Sequence, residues 1–199
     1  RPGQHLTLKA HLGGEELRRC YSICRSRSPS EISVAVKAID GGRFSRYAQQ
    51  DIQQGMTLEV MVPQGHFGYQ PQAEREAEYL AIAAGSGITP MMAIIEATLT
   101  TEPASQFTLI YGNRSSHSMM FRQALADLKD RYPQRLQVVH LFSQESMDSD
   151  LLQGRIDGDK LRQLADHLLD FSRFDEAFIC GPAAMMDEAE ATLKALGMA

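Results

Sequence analysis

Two rhythms divide the chain. Over residues 4–69 apolar and polar positions alternate in short runs, at 5–8, 19–24, 32–36 and 58–62. A period of two predicts half-buried antiparallel strands, because successive side chains leave a strand on opposite faces. Gly13-Gly14, Gly41-Gly42, Gly55 and Pro63-Gln64-Gly65 separate the runs and supply the turns of a small antiparallel Greek-key β-barrel. One short helix is expected inside it, over 44–50. Past the polar, charged stretch 70–78 the rhythm changes. Apolar runs at 79–84, 107–112, 136–142 and 177–180 alternate with helical patterns at 90–100, 119–132, 158–169 and 183–196. That alternation predicts an α/β domain with a parallel sheet, helices on both faces and a ligand site at the carboxyl ends of the strands. The expected organisation is a barrel over 1–72 and an α/β domain over 73–199. Both ends read as cut, the first close to a strand and the last just past a helix with no strand to close the sheet.

The most informative local signal is Ala84-Gly85-Ser86-Gly87-Ile88-Thr89-Pro90-Met91, where an apolar run empties into two glycines before a helix. Glycines let a backbone approach an anion, and the first turn of the helix offers unpaired N–H groups. Plain turn chemistry is the commoner reason for such a pair, and the G-x-G-x-x-G spacing of the dinucleotide fingerprint is missing. Arg19-Cys20-Tyr21-Ser22 puts Arg19 and Tyr21 on one face of a strand, able to hold a phosphate and a flat ring together. An edge strand with a polar surface fits the tetrapeptide too.

Composition narrows the partners. The 199 residues are 43% hydrophobic, enough for packed cores, and no apolar run approaches the roughly 20 residues that span a bilayer. The first residues do not read as a signal peptide. A net charge of -5 argues against nucleic acid. Cys20, Cys24 and Cys180 are an odd three, so a disulfide framework is not expected and a reducing, cytoplasmic setting is. The six histidines show no metal-ligand spacing, and no metal site is expected.

Five motifs in order resemble the ferredoxin-NADP reductase superfamily across essentially the whole chain: Arg19-Cys20-Tyr21-Ser22, Gly41-Gly42-Arg43-Phe44-Ser45, Pro63-Gln64-Gly65-His66-Phe67, the glycine turn, and Cys180-Gly181-Pro182-Ala183-Ala184-Met185-Met186. Within it the chain is most similar to the reductase components of multicomponent oxygenases. The resemblance implies FAD on the barrel, with Arg19 at the cofactor phosphate, Tyr21 on the isoalloxazine and Ser22 near flavin N5. Val36, Lys37, Gly42, Phe44, Ser45, Gly65, Phe67 and Thr89 complete the implied flavin set, with Gly42, Phe44 and Ser45 receiving the pyrophosphate. It further implies NADPH on the sheet, contacted by Gly85, Ser86, Gly87, Ile88, Thr89, Pro90, Arg114, Ser115, Cys180, Gly181, Pro182 and Met185. Pro90 is expected as the first helical residue. Ser22 and Cys180 would position the rings for hydride transfer, and no general base is required.

Cofactor choice is read at Tyr111-Gly112-Asn113-Arg114-Ser115. A ribose 2′-phosphate calls for a cation and a free 2′-hydroxyl for a carboxylate. No acid occurs between Tyr111 and Phe121, and Arg114 with Ser115 therefore favours NADPH, Arg122 offering a second cation. The resemblance also implies that electrons leave singly to a [2Fe-2S] centre in a C-terminal domain in cis, and from there to an oxygenase component. Cys20 and Cys24 are the only close pair and the C-x4-C-x2-C spacing is absent, so that cluster is not expected within these residues. A free-standing flavin reductase or the reductase half of a flavohaemoglobin shares the motifs. A non-catalytic redox-sensing module is the alternative of another class.

Overall fold

The first strand, β1 (His5–Leu12), returns through Gly13 and Gly14 into β2 (Glu15–Ser28), with Leu12 opposite Glu15 and His5 opposite Ser22. Both turn residues have positive φ, 60° and 83°, the backbone a two-residue hairpin turn demands. Described here by a computed structural model over residues 1–28 and 30–198, this hairpin is much longer than the runs 5–8 and 19–24 that the sequence predicts. Cross-strand ion pairs extend it, Lys9 reaching Glu16 at 3.3 Å and Glu59 at 2.9 Å. Ala10, Leu12 and Leu17 continue the core face of the ladder, and charge complementarity supports the other face. Next come β3 (Glu31–Val34) and β4 (Glu59–Val60), giving a four-stranded antiparallel half-barrel in the order β3-β2-β1-β4. The expected strand 58–62 shrinks to two residues as it meets Pro63, which has no N–H for the ladder. Helix α1 (Arg43–Gln50) turns Phe44 into the small core of Leu6, Leu8, Ala10 and Ile23.

The second half alternates as expected: β5 (Glu78–Ala84), α2 (Ile88–Thr101), β6 (Gln106–Asn113), α3 (Arg122–Arg131), β7 (Leu136–Phe142), α4 (Gly158–His167), β8 (Glu176–Cys180) and α5 (Ala183–Ala195). Its strands are parallel in the order β7-β6-β5-β8. Ile94, Ile95, Leu125 and Leu128 of α2 and α3 cover Tyr79, Ala81 and Leu109 on one face, while Leu161, Leu164 and Leu193 of α4 and α5 cover Leu80, Ile82 and Ile110 on the other. Burial on both faces makes these strands unbroken apolar runs. Helix α3 starts later than the expected residue 119. Phe121 stands in the left-handed region at φ 59°, which ends any right-handed helix there.

The domains meet where β2 lies against α2. Cys24 is buried in the core that α2 covers, and Arg25 forks onto Glu96 with contacts of 3.2 and 3.3 Å. At the amino end of the sheet, fully buried Glu102 receives the hydroxyls of Tyr69, Tyr79 and Ser105 and the N–H of Gln72. The chain that joins the domains is held by that carboxylate.

Candidate cofactor site

At the carboxyl ends of β5 and β8, Ala83 lies opposite Cys180, and the two glycines that follow β5 serve different ends. Gly85 has φ 54° with open space where a side chain would stand, so its backbone conformation is what calls for glycine. Gly87 has an ordinary φ, but a Cβ there would collide with the carbonyl of Cys180. The absent side chain thus admits β8 as well as leaving room for a ligand, and it joins the glycine turn to Cys180-Gly181-Pro182. Ser86, between them, is exposed.

Several expected contact residues can offer only main chain. Ile88 is fully buried, and Pro90, also buried, is the third rather than the first residue of α2. A third-position proline still falls among the first four N–H groups that lack helical partners. The Thr89 hydroxyl donates to Ser86 O at 2.9 Å, which closes the turn from inside. Met185 lies in the core under α5, against Gly181, so its side chain packs the Cys180 turn instead of lining its surface. Pro182 is exposed and caps α5. Half-buried Cys180 has its thiol pushed up by burial, which keeps it protonated and suits placing a ring better than covalent attack.

Tyr111, which the sequence offers only as the opening residue of the ribose-reading stretch, organises this end. Its hydroxyl donates to Gly85 O at 3.2 Å and accepts from Met120 N, also at 3.2 Å. One phenol therefore braces the glycine turn and the loop after β6 together. The signal was a phenol at the carboxyl end of a buried strand, where its hydroxyl needs a partner. In that loop Arg114 is exposed, and the Ser118 hydroxyl closes the turn from Ser115 through contacts of 3.1 and 2.7 Å. The acid missing between 111 and 121 arrives from elsewhere: Glu145, beyond β7, accepts from Ser116 N at 2.6 Å. Beneath lie buried Asn113, with neither amide atom paired, and His140, with Nδ1 unpaired.

On the half-barrel, Arg19 and Tyr21 stand opposite Leu8 and Leu6 and share their face, whereas Ser22 stands on the other, opposite His5. Arg19 is exposed, its guanidinium on Arg18 O at 2.8 Å. Half-buried Tyr21 lies 5.7 Å from the Phe44 ring. Phe44 is itself core, so an anion at this turn would meet its backbone alone. The Ser45 hydroxyl is engaged within the turn, donating to Gly42 O at 3.2 Å and accepting from Ile39 N at 3.3 Å, and a Cβ on Gly42 would strike it. Lys37, beside half-buried Val36, donates from its ammonium to Ser118 O at 3.0 Å and ties the barrel to the loop after β6. Gly65 has φ 111° beside His5, and Phe67 meets Phe178 of β8 edge-on at 6.2 Å.

Among the described residues no three His, Cys, Asp or Glu side chains are grouped to hold a metal, and no helix is long and apolar enough to cross a membrane. What the arrangement provides is an open glycine turn, a helix start, a protonated thiol and an aromatic strand face, a donor set suited to two flat, phosphate-bearing cofactors. Models of the oxidoreductase FAD-binding domain and the oxidoreductase NAD-binding domain match residues 1–69 and 81–191. The chain belongs to the FAD- and NAD-binding oxidoreductases. This reductase module has the ferredoxin-NADP reductase-like fold, and FAD and NAD(P)H are its cofactors.

The module is 78% identical over 198 residues to a component of the 1,2-phenylacetyl-CoA epoxidase of Escherichia coli (strain K12), covering all of this chain and 56% of that protein. It is 36% identical over 197 residues to the ferredoxin reductase component of 3-ketosteroid-9-alpha-monooxygenase from Mycobacterium tuberculosis (strain ATCC 25618 / H37Rv), covering 98% of this chain and 51% of that protein. The chain thus spans about half the length of the curated relatives it matches. Among solved structures, the flavohem-like FAD/NAD-binding domain of nitric oxide dioxygenase from Vibrio cholerae O1 biovar El Tor superposes with a TM-score of 0.84 at 29% identity, covering all of this chain and 81% of that one.

Proposed function

We propose that the module takes a hydride from NADPH onto FAD and passes electrons singly to an iron-sulfur centre that serves an oxygenase of the phenylacetyl-CoA epoxidase kind, in the cytoplasm. The observation that carries this reading is the 78% identity to the epoxidase component along the whole chain. Bound on the half-barrel, FAD supplies a hydride acceptor able to release electrons one at a time. The chain's own part is to bind, orient and shield. Tyr21 offers a ring face and Arg19 a cation to the flavin, while the start of α1, which has no side-chain cap, and the glycine turn before α2 offer main-chain N–H groups to pyrophosphates. Cys180, kept neutral by burial, sets where the nicotinamide ring can lie without reacting with it. Such placement can contribute several kcal/mol to a transfer between stacked rings. Arg114, exposed at the end of β6, supports NADPH over NADH.

Stopped-flow mixing of the full-length, FAD-loaded protein with NADPH tests the reading. Rapid bleaching of the flavin band is expected, followed by reduction of an iron-sulfur centre. A protein that takes up no FAD, or whose flavin stays oxidised, overturns it in favour of a redox-sensing module. Likeness to the nitric oxide dioxygenase domain supports a second reading, the reductase half of a flavohaemoglobin. A globin before the module in the reading frame, instead of an iron-sulfur domain after it, would establish that alternative.

A further inference from the structure

After β7 the chain runs beside the end of β6 and is fastened to it. Ser143 N donates to Asn113 O at 3.0 Å and Gln144 N to Arg114 O at 2.8 Å. One residue on, the Glu145 carboxylate accepts from Ser116 N, 29 positions away in sequence. Glu145 is thereby held against the turn that carries Arg114 and Ser115. The Ser116 hydrogen bonding keeps its carboxyl below the usual carboxylate range, with His117 and Arg122 acting in the same direction, so it is an anion at neutral pH. Among the described residues Arg114 makes no ion pair with Glu145 or any other acid. A cation and an anion therefore stand at one turn without a salt bridge between them.

We propose that Glu145 is a second determinant of cofactor choice that opposes Arg114: its carboxylate repels a ribose 2′-phosphate and accepts from a free ribose hydroxyl, which makes the preference for NADPH partial. The opposition has a simple physical basis, since a 2′-phosphate brings negative charge toward a fixed anion while a 2′-hydroxyl brings a donor. This inference rests on the proposed placement of NADPH on the parallel sheet.

Calorimetric titration of the full-length FAD-loaded protein with 2′-phospho-AMP and with AMP tests it in wild type and in Glu145→Gln, which keeps an oxygen for Ser116 N and removes the charge. The substitution is expected to tighten 2′-phospho-AMP roughly three- to fivefold, the range of an exposed charge-charge interaction, and to leave AMP unchanged or weaker. The gain should shrink as salt rises. Glu145→Ser, which gives up the long side chain as well, is expected to move the ratio of the two affinities in the same direction. Equal shifts for both nucleotides would mean that Glu145 only braces the turn, and an unchanged ratio in both variants would also overturn the inference. Failure of wild type to bind either nucleotide would instead overturn the placement of the cofactor itself, and this inference with it.

Discussion

At the amino end of the parallel sheet, Glu102 is fully buried and receives four hydrogen bonds, whereas at the carboxyl end buried Asn113 and half-buried His140 carry polar atoms that are unpaired. Around Glu102 the Arg75 guanidinium lies 5.5 Å from the Tyr69 ring and 5.4 Å from the Tyr79 ring. A matched network in a low-dielectric interior is rigid, and an unmatched group costs about 1–3 kcal/mol. One end of the sheet only has to hold the domains together, and there the carboxylate and the phenols are satisfied, with the buried Thr98 hydroxyl one helical turn before Glu102 as the exception. The other end has to meet ligands, and three of the four unpaired buried side-chain atoms among the described residues lie there.

The comparison breaks most directly at Glu102. Glu102→Ala leaves buried hydroxyls of Tyr69 and Tyr79 without their acceptor and should destabilise the protein by about 3–5 kcal/mol, read as a shift in the urea midpoint. A loss below about 1 kcal/mol would show that the network is not what secures this end. Burial pushes the Glu102 carboxyl up, but the hydrogen bonds from Tyr69, Gln72 N, Ser105 and Tyr79 outweigh it and the net direction is down. A depressed carboxyl contributes stability above its unfolded-state value and loses it as pH falls through the folded one. Acid unfolding should therefore steepen below the usual carboxylate range in wild type, and less so in Glu102→Gln.

Next in size is the contrast inside the glycine turn. Gly87→Ala forces β8 away from β5 and is expected to cost about 3 kcal/mol. Gly85→Ala meets open space and pays only for its left-handed backbone, about 1–2 kcal/mol. Thermal midpoints of the two variants order them, and equal losses would erase the distinction. Arg114→Ala should then raise the KM for NADPH by the equivalent of about 1.5–3 kcal/mol and leave NADH nearly unchanged. Steady-state kinetics with both cofactors decide this, and equal effects would show that Arg114 does not read the phosphate.

The smallest effect is expected at His140. Burial first, and Arg122 second, hold its imidazole below the usual range, so the folded protein prefers it neutral. Its unfolded form takes up a proton at higher pH, and stability declines as pH falls through that value. His140→Leu should change stability near pH 8 by less than about 1 kcal/mol and flatten the decline on acidification. Denaturant titrations at two pH values measure both quantities, and an unchanged pH slope would dismiss the histidine as its source.

These contrasts mark how far the sequence could be read. Strands buried on two faces announce themselves, and β7 occupies the residues its apolar run predicts. The hairpin of β1 and β2 outran the predicted runs because small Ala10 and half-buried Leu12 and Leu17 continue its core face while the Lys9–Glu16 ion pair supports the other. Helix α3 lost its first residues to the left-handed Phe121, a backbone choice that no periodicity records. In the site, the order of motifs was legible but the work of individual side chains was less so. Phe44 and Met185 turn inward, and Lys37 reaches across to Ser118. Glu145 was invisible as a neighbour of Arg114, because only the pairing of β6 with β7 brings the segments after them side by side.

The contact of Gly87 with the Cys180 carbonyl bears on modularity. A designer who moved the Gly85-Ser86-Gly87 turn alone onto another parallel sheet would bring a backbone shaped around a strand left behind. The smallest portable unit is two chain segments about ninety residues apart in sequence, and insertions between them are free to vary only while they return Cys180 to the same place.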